Sequence, residues 1–208
     1  MSKQQIDLNI ISDEQIVERI LKGEKQLYEK LMRKYDQRLF RIGRSIINNE
    51  EEVRDIMQNT YLNAYLHLPF LQNRSSFGTW VVKILVNESL LRKKGKLKQR
   101  QTINNQLSDE METPLESLLN KELKALLERA IVELPEKYKL VFVMREVEEM
   151  STIETMEVLS LSESNVKIRL SRAKEMLREN LAGKKLKEVF KLRLPYCNKI
   201  VNYVMNKI

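Results

Sequence analysis

Cysteine and histidine are almost missing from this chain. The single Cys197 and the single His67 exclude a disulfide framework and leave too few ligands for a Cys/His metal site. Glycine and proline number only 5 and 4 among 208 residues, too few for the repeated tight turns of a β-sandwich or barrel. The glycines, Gly23, Gly43, Gly78, Gly95 and Gly183, stand singly, so no glycine-rich loop for nucleotide phosphates can be built from them. No apolar run approaches the roughly 18 residues of a membrane span. The first residues also lack a signal-peptide core. The expectation is a cytoplasmic protein with no membrane insertion. No paired acid/base or nucleophile constellation stands out, so neither an enzyme nor a bound cofactor or metal is expected.

Hydrophobic residues make up 42% of the chain and charged residues 32%, with a net charge of +8. That apolar content supports a packed core, and the charge points to a polyanionic partner. The charge is unevenly placed. Residues 83–100 hold seven bases against Glu88, and residues 183–208 hold seven bases against Glu188. The remainder is therefore net negative. Asp109, Glu110, Glu112 and Glu116, unaccompanied by any base, concentrate that charge within residues 107–119.

Apolar spacing reads as helix nearly throughout. Ser12-Asp13-Glu14-Gln15 forms a capping-box start. Leu27, Leu31, Tyr35, Leu39, Ile42 and Ile46 then recur at helical period. Asn48-Asn49 marks a turn, and Glu50–Glu52 load acid into the first turn of the next helix, as the helix dipole favours. That helix runs through Val53, Ile56, Met57, Tyr61, Ala64 and Tyr65 and stops before Pro69. Another opens at Ser75 or Ser76 and is expected to bury Phe77, Trp80, Val81, Ile84, Leu85 and Leu91. Apolar period is absent between about 97 and 112. Thr113-Pro114-Leu115-Glu116 then restarts a helix lined by Leu119, Leu123, Leu126 and Leu127, which ends at Leu134-Pro135. The fold class is all-α. Two small helical domains, residues 1–96 and 114–182, are joined by a flexible linker over 97–113 and followed by a basic tail over 183–208.

The sharpest local pattern lies between 151 and 178. Ser151-Thr152-Ile153-Glu154 is a capping box opening a helix of about nine residues. Ser160-Leu161-Ser162 breaks it, and Ser162 caps a second helix. In that helix Val166, Leu170, Ala173 and Leu177 form one buried stripe. Ser164, Asn165, Lys167, Ile168, Arg169, Ser171, Arg172 and Lys174 occupy the outer faces. A short helix, a tight turn and a longer helix with a basic polar face make a helix-turn-helix, whose second helix enters the DNA major groove.

At this point the residues resemble a known family. Leu134–Phe142, Arg145-Glu146-Val147 and Ser151–Arg172 look like the promoter-binding C-terminal domain of bacterial sigma-70 family RNA polymerase sigma factors. Asp55-Ile56-Met57-Gln58-Asn59-Thr60-Tyr61 resembles the segment that grips core polymerase. Phe77-Gly78-Thr79-Trp80-Val81-Val82-Lys83-Ile84 with Asn87 resembles the element that opens DNA. Two such modules with an acidic linker are the layout of the extracytoplasmic-function (ECF) subfamily. Against the family pattern, Asn59 replaces an acid, Ser160 a glycine, Met156 a small alanine and Thr155 an aliphatic residue.

The resemblance implies a factor that binds core RNA polymerase, directs it to promoter DNA and helps melt the −10 element, with an anti-sigma protein as a further partner. It assigns Asp55, Ile56, Gln58, Asn59 and Tyr61 to core polymerase. It assigns Phe70, Asn73, Ser75, Lys83, Asn87, Arg92, Lys93 and Lys94 to the −10 element, and the outer row of the second helix to the −35 element. The bare residues also admit a stand-alone helix-turn-helix regulator, or a helical protein whose basic faces hold RNA or an acidic partner.

Overall fold

The computed structural model describes residues 11–72, 76–100, 130–181, 204–205 and 207–208. All regular elements among them are helical. Helix α1 spans Asp13–Leu21 and opens on the expected capping box. The Ser12 hydroxyl accepts from the Gln15 N–H, and the Gln15 side chain accepts from the Ser12 N–H. Gly23, at φ +106°, makes a turn that a side chain would strain. The chain passes through a 3₁₀ turn, Lys25–Leu27, into α2, Tyr28–Ile46. Asn49 caps α3, Glu50–His67, by accepting from the Glu52 N–H at 2.8 Å. A second 3₁₀ turn, Leu68–Phe70, leads toward α4, Phe77–Arg100.

Helices α2, α3 and α4 pack against one another around aromatic side chains. Tyr28, Tyr61 and Phe77 are fully buried. The Tyr28 ring meets Tyr61, Tyr65 and Phe77 edge-on, with centroids 6.5, 5.1 and 6.4 Å away. The Tyr28 hydroxyl donates to the Tyr61 carbonyl at 2.7 Å, and the Tyr61 hydroxyl donates to the Met32 carbonyl at 3.0 Å. Burial pushes both phenol pKa values up, so both remain O–H donors.

In the second module, residues 130–133 end a helix at Leu134-Pro135, as expected. Helix α5, Glu136–Phe142, widens into a π-helical segment, Val143–Val147. Helix α6 spans Thr152–Leu159 and α7 spans Glu163–Leu181. Helix α7 lies on α5 and α6, with Val166, Ala173 and Leu177 buried and Leu170 half-buried.

Several expectations are corrected. Leu91 is 68% exposed and not part of the core. Helix α4 runs on to Arg100, so residues 97–100 of the expected linker are helical. Leu, Lys, Gln and Arg there are good helix formers and need no apolar stripe to extend an existing helix. The rest of the linker, the helix start at 113–129 and most of the tail lie outside the described residues. Within the tail, Val204 is buried, while Met205 and Ile208 pack on the core. The two modules also share one continuous hydrophobic cluster, with α6 against α4 and α5 against α2.

Gly78 sits where α4 crosses α2. A Cβ there would lie 2.6 Å from the Tyr35 ring edge and hydroxyl. Gly78→Ala should therefore destabilise the fold by about 1–3 kcal/mol, the range for overpacking a core contact. Urea denaturation followed by circular dichroism measures it.

Candidate nucleic-acid and partner interfaces

The helix-turn-helix forms as its capping residues dictate. The Ser151 hydroxyl accepts from the Glu154 N–H at 3.1 Å, and Glu154 returns a carboxylate oxygen to the Ser151 N–H at 2.6 Å. Ser160 ends α6 at φ 51°, ψ 47°, the left-handed geometry for which glycine is the usual choice. Thr155 is buried and bonds its own helix, its hydroxyl donating to the Ser151 carbonyl at 2.9 Å. Met156 is only half-buried. The tight interior position of this helix is thus held by the small Thr155 and not by Met156.

Ser162 accepts from the Asn165 backbone N–H at 3.3 Å and from its side-chain amide at 3.0 Å. This fixes the first turn of α7. Ser164, Asn165, Lys167, Ile168, Ser171 and Arg172 are exposed, and Arg169 and Lys174 are half-buried. Lys167 pairs with Glu163 at 2.6 Å, Arg172 with Glu175 at 2.9 Å and Lys174 with Glu146 at 2.8 Å. Arg169 pairs with no carboxylate among the described residues. The row therefore combines an oriented amide, an exposed isoleucine and an available guanidinium, a set able to address base edges.

A second surface is a groove of about 480 Å³ between α3 and α4. Ile56, Asn59, Leu62 and Leu66 contribute from α3, and Glu88, Leu91 and Arg92 from α4. Of the residues expected to face core polymerase, Asp55 and Asn59 are exposed and Gln58 is half-buried. Ile56 is buried and forms part of the groove wall. Tyr61 is interior and turned toward α2, so it offers no surface to a partner. Residue spacing alone missed Leu62, Leu66 and Leu91. The signal was available, since Asn59, Leu62 and Leu66 continue the Asp55 face at i+3 and i+4 steps. Leu66 is 65% exposed. Burial pushes the Glu88 carboxyl pKa above its ordinary value, against the opposing pull of the Asn63 amide and Thr60 hydroxyl that bond it.

A third surface follows α4. Phe70 is 78% exposed, with its ring 6.4 Å from that of His67. Asn87 and Lys94 are exposed, and Lys83 is half-buried. Arg92 and Lys96 hold Glu52 of α3 at 3.1 and 2.5 Å, and Lys93 is paired with Glu136. Lys83 and Lys94 meet no carboxylate among the described residues. Asn73 and Ser75 lie outside the described residues. Among the described residues no group of three metal-ligating side chains is present, and no helix is long and apolar enough to cross a membrane.

The comparisons agree with this architecture. The Sigma-70 region 2 family model matches residues 31–96, and the Sigma-70 region 4 model matches residues 124–177. An ECF RNA polymerase sigma factor SigW of Bacillus subtilis (strain 168) is 24% identical over 176 residues, 79% of this chain and 94% of its own. An ECF RNA polymerase sigma-E factor of Haemophilus influenzae is also 24% identical, over 82% of this chain and 96% of its own. Two solved structures share the fold. CnrH in complex with the cytosolic domain of CnrY has a TM-score of 0.59 at 20% identity, covering 83% of this chain and 99% of its own. RpoE in complex with the anti-sigma factor NepR from Bartonella quintana has a TM-score of 0.58 at 19% identity, covering 80% and 99%. The chain belongs to the sigma-70 family of RNA polymerase sigma factors, in its ECF group. It is a transcription initiation factor.

Ser160→Gly should relieve the left-handed strain at the end of α6. The expected gain is on the order of 0.5–1 kcal/mol for the second module, read from amide hydrogen exchange in α6 and α7.

Proposed function

We propose that the three surfaces divide the work of a promoter-specificity subunit acting in the cytoplasm. The α3–α4 groove docks core polymerase. The Phe70 loop and α4 take the melted −10 element. The outer row of α7 reads the −35 element, and an anti-sigma protein regulates the whole. The single observation that carries this reading is the arrangement of α7. Its interior stripe is spent on packing, while Asn165, Ile168 and Arg169 stand outward near its start, where such helices meet base edges.

The chemistry assigned to each surface follows from its side chains. An arginine fork can span the acceptors of guanine, an amide can pair with adenine, and an apolar side chain can meet the thymine methyl. The 59% exposed Ile168 is otherwise a hydrophobic liability on this face. At the groove, exposed Leu66 and Leu91 supply apolar contact, while Asp55, Gln58 and Asn59 supply a polar rim. On α4, Lys83 and Lys94 are cations available to phosphates, and exposed Phe70 is suited to stacking on an unpaired base. Asn87 is the amide at the upstream edge. Asn73 and Ser75 keep their assignment to the −10 element on resemblance alone.

Arg169→Ala should relax preference at one position of the −35 element by about 1–3 kcal/mol. The measurement is holoenzyme binding to a panel of single-base substitutions. An equal loss on every member would assign Arg169 to phosphate instead. A double substitution, Asp55→Ala with Leu66→Ala, should weaken core polymerase binding about tenfold or more. That factor corresponds to roughly 1.4 kcal/mol lost from a well-packed interface. Unchanged titration curves with purified core enzyme would remove the groove from the reading.

A further inference from the structure

The hydroxyl of Ser162, which caps α7, does more than satisfy the end of the helix. Its Oγ accepts from the Asn165 backbone N–H at 3.3 Å and from the Asn165 side-chain Nδ2 at 3.0 Å. The Ser162 carbonyl accepts from the Val166 N–H at 3.1 Å, so the backbone closes the same turn. A hydroxyl oxygen has two lone pairs and one proton. Both lone pairs are taken, so the proton is directed to the remaining neighbour, the Ser164 Oγ at 3.1 Å. Ser164 is then an acceptor on its inner side, and its own proton points to solvent. A one-way chain of hydrogen bonds runs from the Asn165 amide through Ser162 to Ser164, each bond polarising the next. Ser162, Ser164 and Asn165 are all exposed. Hydrogen bonding, not packing, therefore orients them.

The chain of bonds decides which edge of the amide faces outward. One oxygen is reached by both the backbone N–H and the Nδ2 of Asn165, so it lies on the main-chain side of that amide. The N–H used there is the one trans to Oδ1. Oδ1 and the N–H beside it remain, an acceptor and a donor side by side. That pair is complementary to adenine in the major groove, where N6 donates and N7 accepts. Guanine, cytosine and thymine each leave one of the two groups unpaired. The surroundings keep the edge clear, since the adjacent Glu163 is taken by Lys167 at 2.6 Å. Ile168, at the i+3 place on the same face and 59% exposed, is an apolar neighbour matched to a thymine methyl.

We propose that Ser162 is a positioning residue for promoter recognition: its hydroxyl, with its proton committed to Ser164, holds Asn165 in the orientation that reads adenine in the −35 element. The amide is oriented before DNA arrives. A freely rotating asparagine loses rotamer freedom on binding and offers its donor and acceptor to any base. The held amide offers one edge. Selectivity is thus set by a side chain that needs no DNA contact of its own. The consequence for base reading rests on the −35 role proposed above for α7. The orientation of the amide in the free chain does not.

Two substitutions separate positioning from capping. Ser162→Gly removes the hydroxyl but leaves a residue that helix N-caps tolerate with little loss. Ser162→Thr keeps the hydroxyl. In the free full-length chain, heteronuclear NMR of the Asn165 side-chain amide should show two well-separated Nδ2 protons. The separation should persist in Ser162→Thr and collapse in Ser162→Gly. An amide signal unchanged by Ser162→Gly would overturn the positioning. Holoenzyme binding is then measured on a panel of single-base −35 substitutions. Asn165→Ala should lower the preference for adenine at one position about tenfold. Ser162→Gly should lower it severalfold at that position alone, and Ser162→Thr should retain it. The double variant should be no worse than Asn165→Ala, because the two side chains act as one unit. An even loss across the panel in Ser162→Gly would make Ser162 a helix cap only and overturn the proposal. So would a preference at the Asn165 position for a base other than adenine. If Asn165→Ala changes no preference while Arg169→Ala does, the proposal falls and the −35 reading of α7 stands. If neither variant changes any preference, that reading fails and takes the proposal with it.

Discussion

The packing of three aromatic residues, one from each of α2, α3 and α4, sets the geometry on which the rest depends. Tyr28 touches Tyr61 and Phe77 through ring edges, and the two tyrosine hydroxyls bond backbone carbonyls of the facing helices. Ring packing alone would tolerate sliding. A phenol bonded to a particular carbonyl does not, because a one-residue slip would leave a buried donor unpaired. These bonds fix the register of α3 against α2 and so decide which α3 residues face outward as Asp55, Asn59, Leu62 and Leu66. Through Phe77 they also fix where α4 begins, and with it the angular positions of Lys83, Asn87 and the basic run.

Much of this was legible in the residues themselves. The capping boxes at Ser12 and Ser151 and the stripe Val166–Leu170–Ala173–Leu177 are local patterns, set by hydrogen-bond geometry and helical period within one element, and the structure has them where the spacing puts them. Tyr61 and Leu91 were misjudged for a common reason. Helix α3 is buried on one side and grooved on another, so apolar residues occur around more than half its circumference and period alone cannot say which are interior. Leu91 continues the apolar spacing of α4 but lines the open groove between α3 and α4, where nothing covers it among the described residues. Ser160 shows the opposite case. The chain departs from the usual glycine, yet the backbone keeps the left-handed turn because the capped helices on either side dictate it.

The contact between modules had no local signature at all. Glu148 and Arg41 are 107 residues apart, and each is an unremarkable charge in its own window. Only the π-helical segment, which adds a residue to the turn, brings Glu148 round to α2. Such widened turns are set by tertiary packing, which is why charge counts along the chain said nothing about which acids meet which bases.

The ion pairs along α7 carry a consequence for how the helix would meet a duplex. Lys167, Arg172 and Lys174 are each already neutralised by a glutamate of their own module. Binding to phosphate is normally driven by freeing the small cations condensed on the nucleic acid. Here each lysine or arginine that turns to a phosphate must abandon its glutamate, and that liberated carboxylate remains close to the polyanion. It repels the strand or recruits a cation of its own, returning to the surface part of what the phosphate gave up. The net release of ions is thereby smaller than the number of bases on α7 implies. Discrimination then falls more heavily on side chains that carry no internal counter-charge, Asn165, Ile168 and Arg169, and a weak, sequence-indifferent hold on duplex is built into a helix that looks strongly cationic.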